Sequence, residues 1–113
     1  MDVSIVMSTR NRGASVVPAV ASVLLDQGCS WEVILVDQST DDATERALAE
    51  AGLLADPRLV YQRSSARGVS RGRNVGINLA RGDVIAITDD DCVVSEGWAG
   101  AYLARFRQLP SSR

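Results

Sequence analysis

Apolar residues along this chain fall into two alternating kinds of run. Residues 3–8 (VSIVMS), 31–37 (WEVILVD), 58–62 (RLVYQ) and 83–88 (DVIAIT) are short, rich in β-branched side chains and bounded by polar or glycine positions. Such runs predict strands, mostly buried on both faces. Between them, residues 14–28, 41–52 and 69–82 carry helical spacing, and residues 95–108 predict a last helix. In that last segment Trp98, Tyr102 and Phe106 stand four apart and form one core-facing stripe. Pro18 falls in the first turns of the first helix, where proline does least harm. Gly28, Gly52 and Gly82 each stand where a helical pattern stops. Strand followed by helix, four times over, predicts crossover units on a parallel sheet. The expectation is a single α/β domain over residues 1–113, with a mostly parallel four-stranded sheet and flanking helices. No repeat or linker divides it.

A chain of 113 residues has room for one compact domain. With 46% apolar and 23% charged residues it has an ordinary globular composition, and a net charge of −2 argues against a general nucleic-acid binder. No apolar stretch approaches the roughly 18 residues needed to cross a bilayer, and the opening MDVSIVMSTRNR lacks the layout of a signal peptide. The expected location is the cytoplasm, at most peripheral to the membrane. Cys29 and Cys92 form no metal-site spacing and are expected to be reduced. The sequence holds no histidine. That excludes hydrolases built on a catalytic His and His-ligated zinc, leaving carboxylates, arginine, hydroxyls and backbone to carry any chemistry.

In parallel sheets, ligands bind beyond the carboxyl ends of the strands, where strand order reverses. Three of the four strand ends here carry more polar groups than a turn requires: STRNRG (8–13), DQSTDD (37–42) and the triplet Asp89, Asp90 and Asp91. Each has a plain alternative, such as a helix cap with acidic first-turn residues in STDDAT. Their clustering on one rim favours a site. Three adjacent carboxylates repel, at about 4 Å by roughly 1 kcal/mol per pair even in water, so a cation is expected among them. Asp89 and Asp91 lie two apart and share a side in extended backbone; Asp90 would point away unless the chain turns. Before the fourth strand, RSSARGVSRGRN (63–74) supplies Arg63, Arg67, Arg71 and Arg73 with Gly68 and Gly72 between them. Arginine offers paired donors suited to phosphate. Neither a dinucleotide fingerprint nor a Walker A loop is present. The implied ligand carries phosphate together with a hard cation, Mg²⁺ or Mn²⁺.

At this point the chain resembles the family 2 glycosyltransferases, which have the Rossmann-like GT-A fold. SIVMSTRNR is similar to the family's first strand, VILVDQSTDDAT to its second strand and acidic turn, and GVSRGRNVGINLARGDVIAITDDDC to the stretch leading into its Asp-x-Asp motif; EGWAGAYLARF is similar to the helix that follows. The resemblance runs from residue 3 to about 106. It implies a nucleotide-sugar donor, a UDP-sugar first among them, and an acceptor hydroxyl, with transfer that inverts the anomeric centre. It implies that Ser8, Thr9 and Arg12 line the nucleoside pocket, that Asp37 meets a pyrimidine base, and that Arg71 and Arg73 lie near the diphosphate. Asp89 and Asp90 would contact the donor, and Asp89 and Asp91 the Mn²⁺ or Mg²⁺. Ser8 stands where the family has Pro, Arg10 where an aromatic is common, Gly72 where it has Ala, and Cys92 where a fourth carboxylate is frequent.

No residue here matches the family's catalytic base, so the acceptor part and that base are expected beyond residue 113, and full activity of these residues alone is not. The fourth strand, central in the family sheet, would then be an apolar edge, inviting homo-oligomers through strand pairing. Two other readings compete: a non-catalytic nucleotide-binding or assembly module of the same fold, and a receiver-like phosphoryl-transfer domain. The latter would want an acidic pair after the first strand and a lysine, and the sequence has neither.

Overall fold

The computed structural model describes residues 2–24 and 30–90. Four strands form one sheet: β1 (Val3–Thr9), β2 (Trp31–Asp37), β3 (Leu59–Arg63) and β4 (Val84–Ile87), in the order β3-β2-β1-β4 with every pair parallel. Three helices connect them: α1 (Val17–Leu24), α2 (Ala43–Glu50) and α3 (Val69–Leu79). Short 3₁₀ turns at Gly13–Val16 and Leu53–Ala55 precede α1 and follow α2. The first helix thus starts at Val17, later than its apolar pattern, and Pro18 sits at its second position, inside the turn whose N–H groups have no helical partner. The expected last helix at 95–108 lies outside the described residues, as do Gly28, Cys29, Asp91 and Cys92.

Alternation along the strands divides the core in two. Val3, Ile5 and Met7 of β1, Val33 and Leu35 of β2, and Val84 and Ala86 of β4 face α1 and α2 in the larger cluster. Val6, Ile34 and Val36 face the other way, with Val75 of α3 packed against them. All seven residues of β2 are buried, as befits a strand covered on both sides. This layering follows from connection handedness. The crossovers through α1 and α2 step from β1 outward to β3, whereas the one through α3 steps back past β1 to β4. With a constant right-handed crossover, reversing direction moves the helix to the opposite face. Strand order therefore reverses between β1 and β4, and ligand sites in such sheets lie at that reversal.

Two glycines behave differently from one another. Gly52, at φ 77° just after α2, adopts the left-handed conformation expected of a helix stop. Gly82 does not cap α3, which ends at Leu79. A Cβ there would lie 2.5 Å from the Ser4 backbone nitrogen, so it is close approach to β1 that requires glycine. Beside it, Gly82 N donates to Ser4 Oγ (2.7 Å) and Ser4 Oγ donates to buried Glu32 (2.6 Å). Arg81 completes the cluster, its backbone N at 2.8 Å and its guanidinium at 3.1 Å from the Glu32 carboxylate. Burial alone would push the Glu32 carboxyl up, but the donors of Ser4 and Arg81 outweigh it and hold it below the ordinary 4.5. These bonds pin the turn that feeds β4 to the lower ends of β1 and β2.

Candidate functional site

At the carboxyl ends of β1 and β4 lies a cleft of about 310 Å³. The end of β1 contributes Ser8, Thr9, Arg10 and Arg12, and the residue after β2 contributes Gln38. From α3 come Val69 and Arg73, and from beyond β4 come Thr88, Asp89 and Asp90. The cleft thus opens at the reversal point, with two carboxylates and three guanidinium groups in its lining.

The aspartates are held differently. Asp90, whose side chain is only 13% exposed, accepts a hydrogen bond from Thr9 Oγ1 at 2.9 Å and faces Arg12 Nε at 3.4 Å. Asp89 is 65% exposed and meets Arg73 NH2 at 3.4 Å. Of the two arrangements open to Asp90, the turned one is found: β4 stops at Ile87 and the chain turns, which brings both Asp89 and Asp90 into the cleft lining. Asp91, assigned from sequence to a metal, lies outside the described residues. Among the described residues no group of three or more metal-capable side chains gathers. Among the described residues, Asp89 and Asp90 are the carboxylates that line the cleft. One or two carboxylates completed by substrate phosphate is the arrangement Mg²⁺ and Mn²⁺ commonly accept, and a weak, exposed contact such as that of Asp89 to Arg73 yields readily to a cation.

Asp37 stands apart from the cleft. It is fully buried at the end of β2; its Oδ1 accepts from Ser39 N (2.9 Å), its Oδ2 from the Tyr61 hydroxyl (2.5 Å), and Arg63 NH1 lies 3.8 Å away. Burial first, and then the bond to Asp37, push the Tyr61 phenol up, so it stays a donor. Arg63 also bonds the carbonyls of Ser39 (3.1 Å) and Asp41 (2.7 Å), holding the acidic turn in place. Arg71 is exposed on α3 and does not line the cleft.

The sequence reading passed over two residues that organise these loops. Asn11, at φ 56°, donates its N–H to Ser39 Oγ and accepts from Thr40 N, both at 2.9 Å, tying the loop after β1 to the loop after β2. Asparagine is among the few non-glycine residues that tolerate this conformation. Gln38 is buried; its Oε1 accepts from Ser8 Oγ (2.9 Å) and its Nε2 donates to the carbonyls of Ala66 (2.9 Å) and Gly68 (3.0 Å). Its position directly after a strand, at the predicted ligand rim, is the signal that could have marked it.

This arrangement, a parallel α/β sheet with a charged cleft at its reversal point, is a Rossmann-like GT-A fold shared with solved structures. The chain superposes on residues 1–349 of TarS from S. aureus with a TM-score of 0.79 at 19% identity, covering 96% of this chain and 33% of that one. With the mannosyltransferase PcManGT from Pyrobaculum calidifontis the TM-score is 0.75 at 22% identity, covering 89% and 31%. By sequence it is 36% identical over 94 residues to the succinoglycan biosynthesis protein ExoO of Rhizobium meliloti, covering 82% of this chain and 26% of that protein. It is 33% identical over 96 residues to the glycosyltransferase GlyG of Streptococcus pneumoniae, covering 83% and 31%. The family model for glycosyl transferase family 2 matches residues 4–112, so the chain belongs to that family. It spans about a quarter to a third of the length of these relatives.

Proposed function

We propose that this chain forms the donor-binding part of a glycosyltransferase, holding a nucleoside diphosphate sugar, with UDP-sugar the leading candidate, for inverting transfer to an acceptor hydroxyl. The observation that carries the reading is the placement of Asp89 and Asp90 opposite Arg12 and Arg73 in one cleft where strand order reverses. Two structures of the same fold are complexes, TarS with UDP-GlcNAc and PcManGT with GDP-Man and Mn²⁺. Arg73 would donate to the diphosphate, and Arg71, exposed outside the cleft lining, would do so only where the ligand extends past the rim; Thr9, Ser8 and Arg12 would border the nucleoside. Asp89 and Asp91, with Asp90 beside them, would hold Mn²⁺ or Mg²⁺, which when bound offsets charge on the departing diphosphate. Asp37 has no exposed surface and would reach the base only if its surroundings opened; otherwise it shapes the base-side wall by fixing Ser39 and Tyr61.

Calorimetric titration of the chain with UDP, GDP and ADP, each with and without Mn²⁺, tests this. Binding of one nucleotide that requires the cation supports the donor reading and names the base. Equal affinity with and without the cation would contradict it. A second proposal concerns assembly. Ile85 and Ile87 of β4 are 37% and 44% exposed, and β4 pairs only with β1 among the described strands. An apolar edge of this kind recruits a further strand, and a second copy of this chain is the partner proposed.

A further inference from the structure

Of the three arginines that line the cleft, Arg73 is carried by α3, and α3 lies close to the sheet. A Cβ on Gly72 would overlap Ser8 Oγ and stand 2.9 Å from Gln38 Oε1; one turn further, a Cβ on Gly76 would overlap Val6 Cγ1 and stand 3.4 Å from Val36 Cγ2. Both glycines are buried, and α3 packs across β1 and β2. Real Cβ atoms do not approach so closely, so either substitution must lift the helix or push its neighbours aside. Arg73 sits between the two glycines and reaches Asp89 at 3.4 Å. A second set of contacts holds the same element at its start. Gln38 bonds the carbonyls of Ala66 and Gly68, which lead into α3, while its Oε1 is held by Ser8.

We infer that Gly76 and Gln38 are positioning residues: by seating α3 and the loop before it directly on β1 and β2, they set where Arg73 stands across from Asp89. That spacing sets how tightly a phosphate-bearing ligand is held. Gly76 does not line the cleft, so its influence runs through the placement of the helix. The inference rests on the donor-nucleotide reading above.

The test is calorimetric titration of UDP with Mn²⁺ into the wild type, Gly76→Ala, Val6→Ala and the double variant V6A/G76A. Circular dichroism selects a temperature at which all are folded. Gly76→Ala is expected to bind about tenfold more weakly, the size of one lost hydrogen bond to a charged group. Val6→Ala, which only removes core atoms, is expected to bind within about twofold of wild type, and V6A/G76A to recover to within about threefold because the overlapping methyl is gone. A purely structural role would lower the unfolding midpoint and leave the affinity of the folded protein unchanged, and that result overturns the inference. So does a double variant as weak as Gly76→Ala. Should Gly76→Ala not fold, Gln38→Leu keeps the volume and removes the two bonds at the start of the helix and the one from Ser8; the same loss is expected, and unchanged binding overturns the inference equally. Wild-type protein that binds no nucleotide disproves the donor reading and this inference with it. Wild-type binding with an unaffected Gly76→Ala disproves the inference alone.

Discussion

Asp37 closes β2 and Asp89 lies just beyond β4, yet the two aspartates have opposite surroundings. Asp37 has no exposed surface and keeps its charge company with Ser39 N, Tyr61 and Arg63. A buried carboxylate that loses a donor must bear the desolvation cost, about 1–3 kcal/mol. Tyr61→Phe is therefore expected to lower stability by about that amount, read as a shift in urea midpoint at constant slope; a change well under 0.5 kcal/mol would mean that Arg63 or water compensates. Asp89, by contrast, is exposed and its ion pair contributes little. Sequence alone showed acidic residues at both strand ends but not this difference. Burial is decided by residues far along the chain: Tyr61 lies 24 positions from Asp37, and Thr9 lies 81 positions from Asp90. For the same reason Ser8 and Gly72 looked like two separate departures from the family pattern. In the structure they are neighbours, the missing Cβ of Gly72 leaving room for the Ser8 hydroxyl.

The strands and α2 and α3 were legible because each carries its own period: continuous β-branched runs for β1 and β2, helical spacing closed by Gly52 for α2. What holds one element to another was not. The turn before β4 is secured by Ser4, Glu32 and Arg81, from three separate segments, and Gly82 read as a helix stop when its function is close approach to β1. Glu32 gives this joint a pH dependence. Its carboxyl is held below the ordinary 4.5 in the folded state, so it binds a proton more readily when unfolded. The stabilisation is fully present above about pH 4.5 and is lost as pH falls through the lower folded-state value. Urea midpoints measured from neutral pH down to about pH 3 should fall less steeply for Glu32→Gln than for wild type. Equal slopes would remove Glu32 from the cause. Asp56, lowered chiefly by its bonds from Arg58, keeps a residual acid sensitivity in both proteins.

For the molecule as a whole, the order β3-β2-β1-β4 places the reversal beside β1, and with it the cleft. The same order leaves β4 at the margin of the described sheet, with Ile85 and Ile87 on the side where α3 covers β1 and β2. Light scattering behind a sizing column is expected to show self-association that rises with concentration and is abolished by Ile87→Lys, since edge charges block strand pairing. A monomer at every concentration would contradict self-association through β4. Among the described residues no helix is long and apolar enough to cross a membrane.

The central claim, a cation-dependent donor site at the carboxyl ends of β1 and β4, is tested most directly by thermal unfolding of wild type and Asp89→Asn with UDP, each with and without Mn²⁺. Because Asp89 is exposed, the two proteins should differ by no more than about 0.5 kcal/mol without ligand. With UDP and Mn²⁺ at about 100 times the dissociation constant, wild type should gain roughly 2.7 kcal/mol, and Asp89→Asn should lose most of that gain. A gain of the same size in both proteins, or one indifferent to Mn²⁺, would contradict the site.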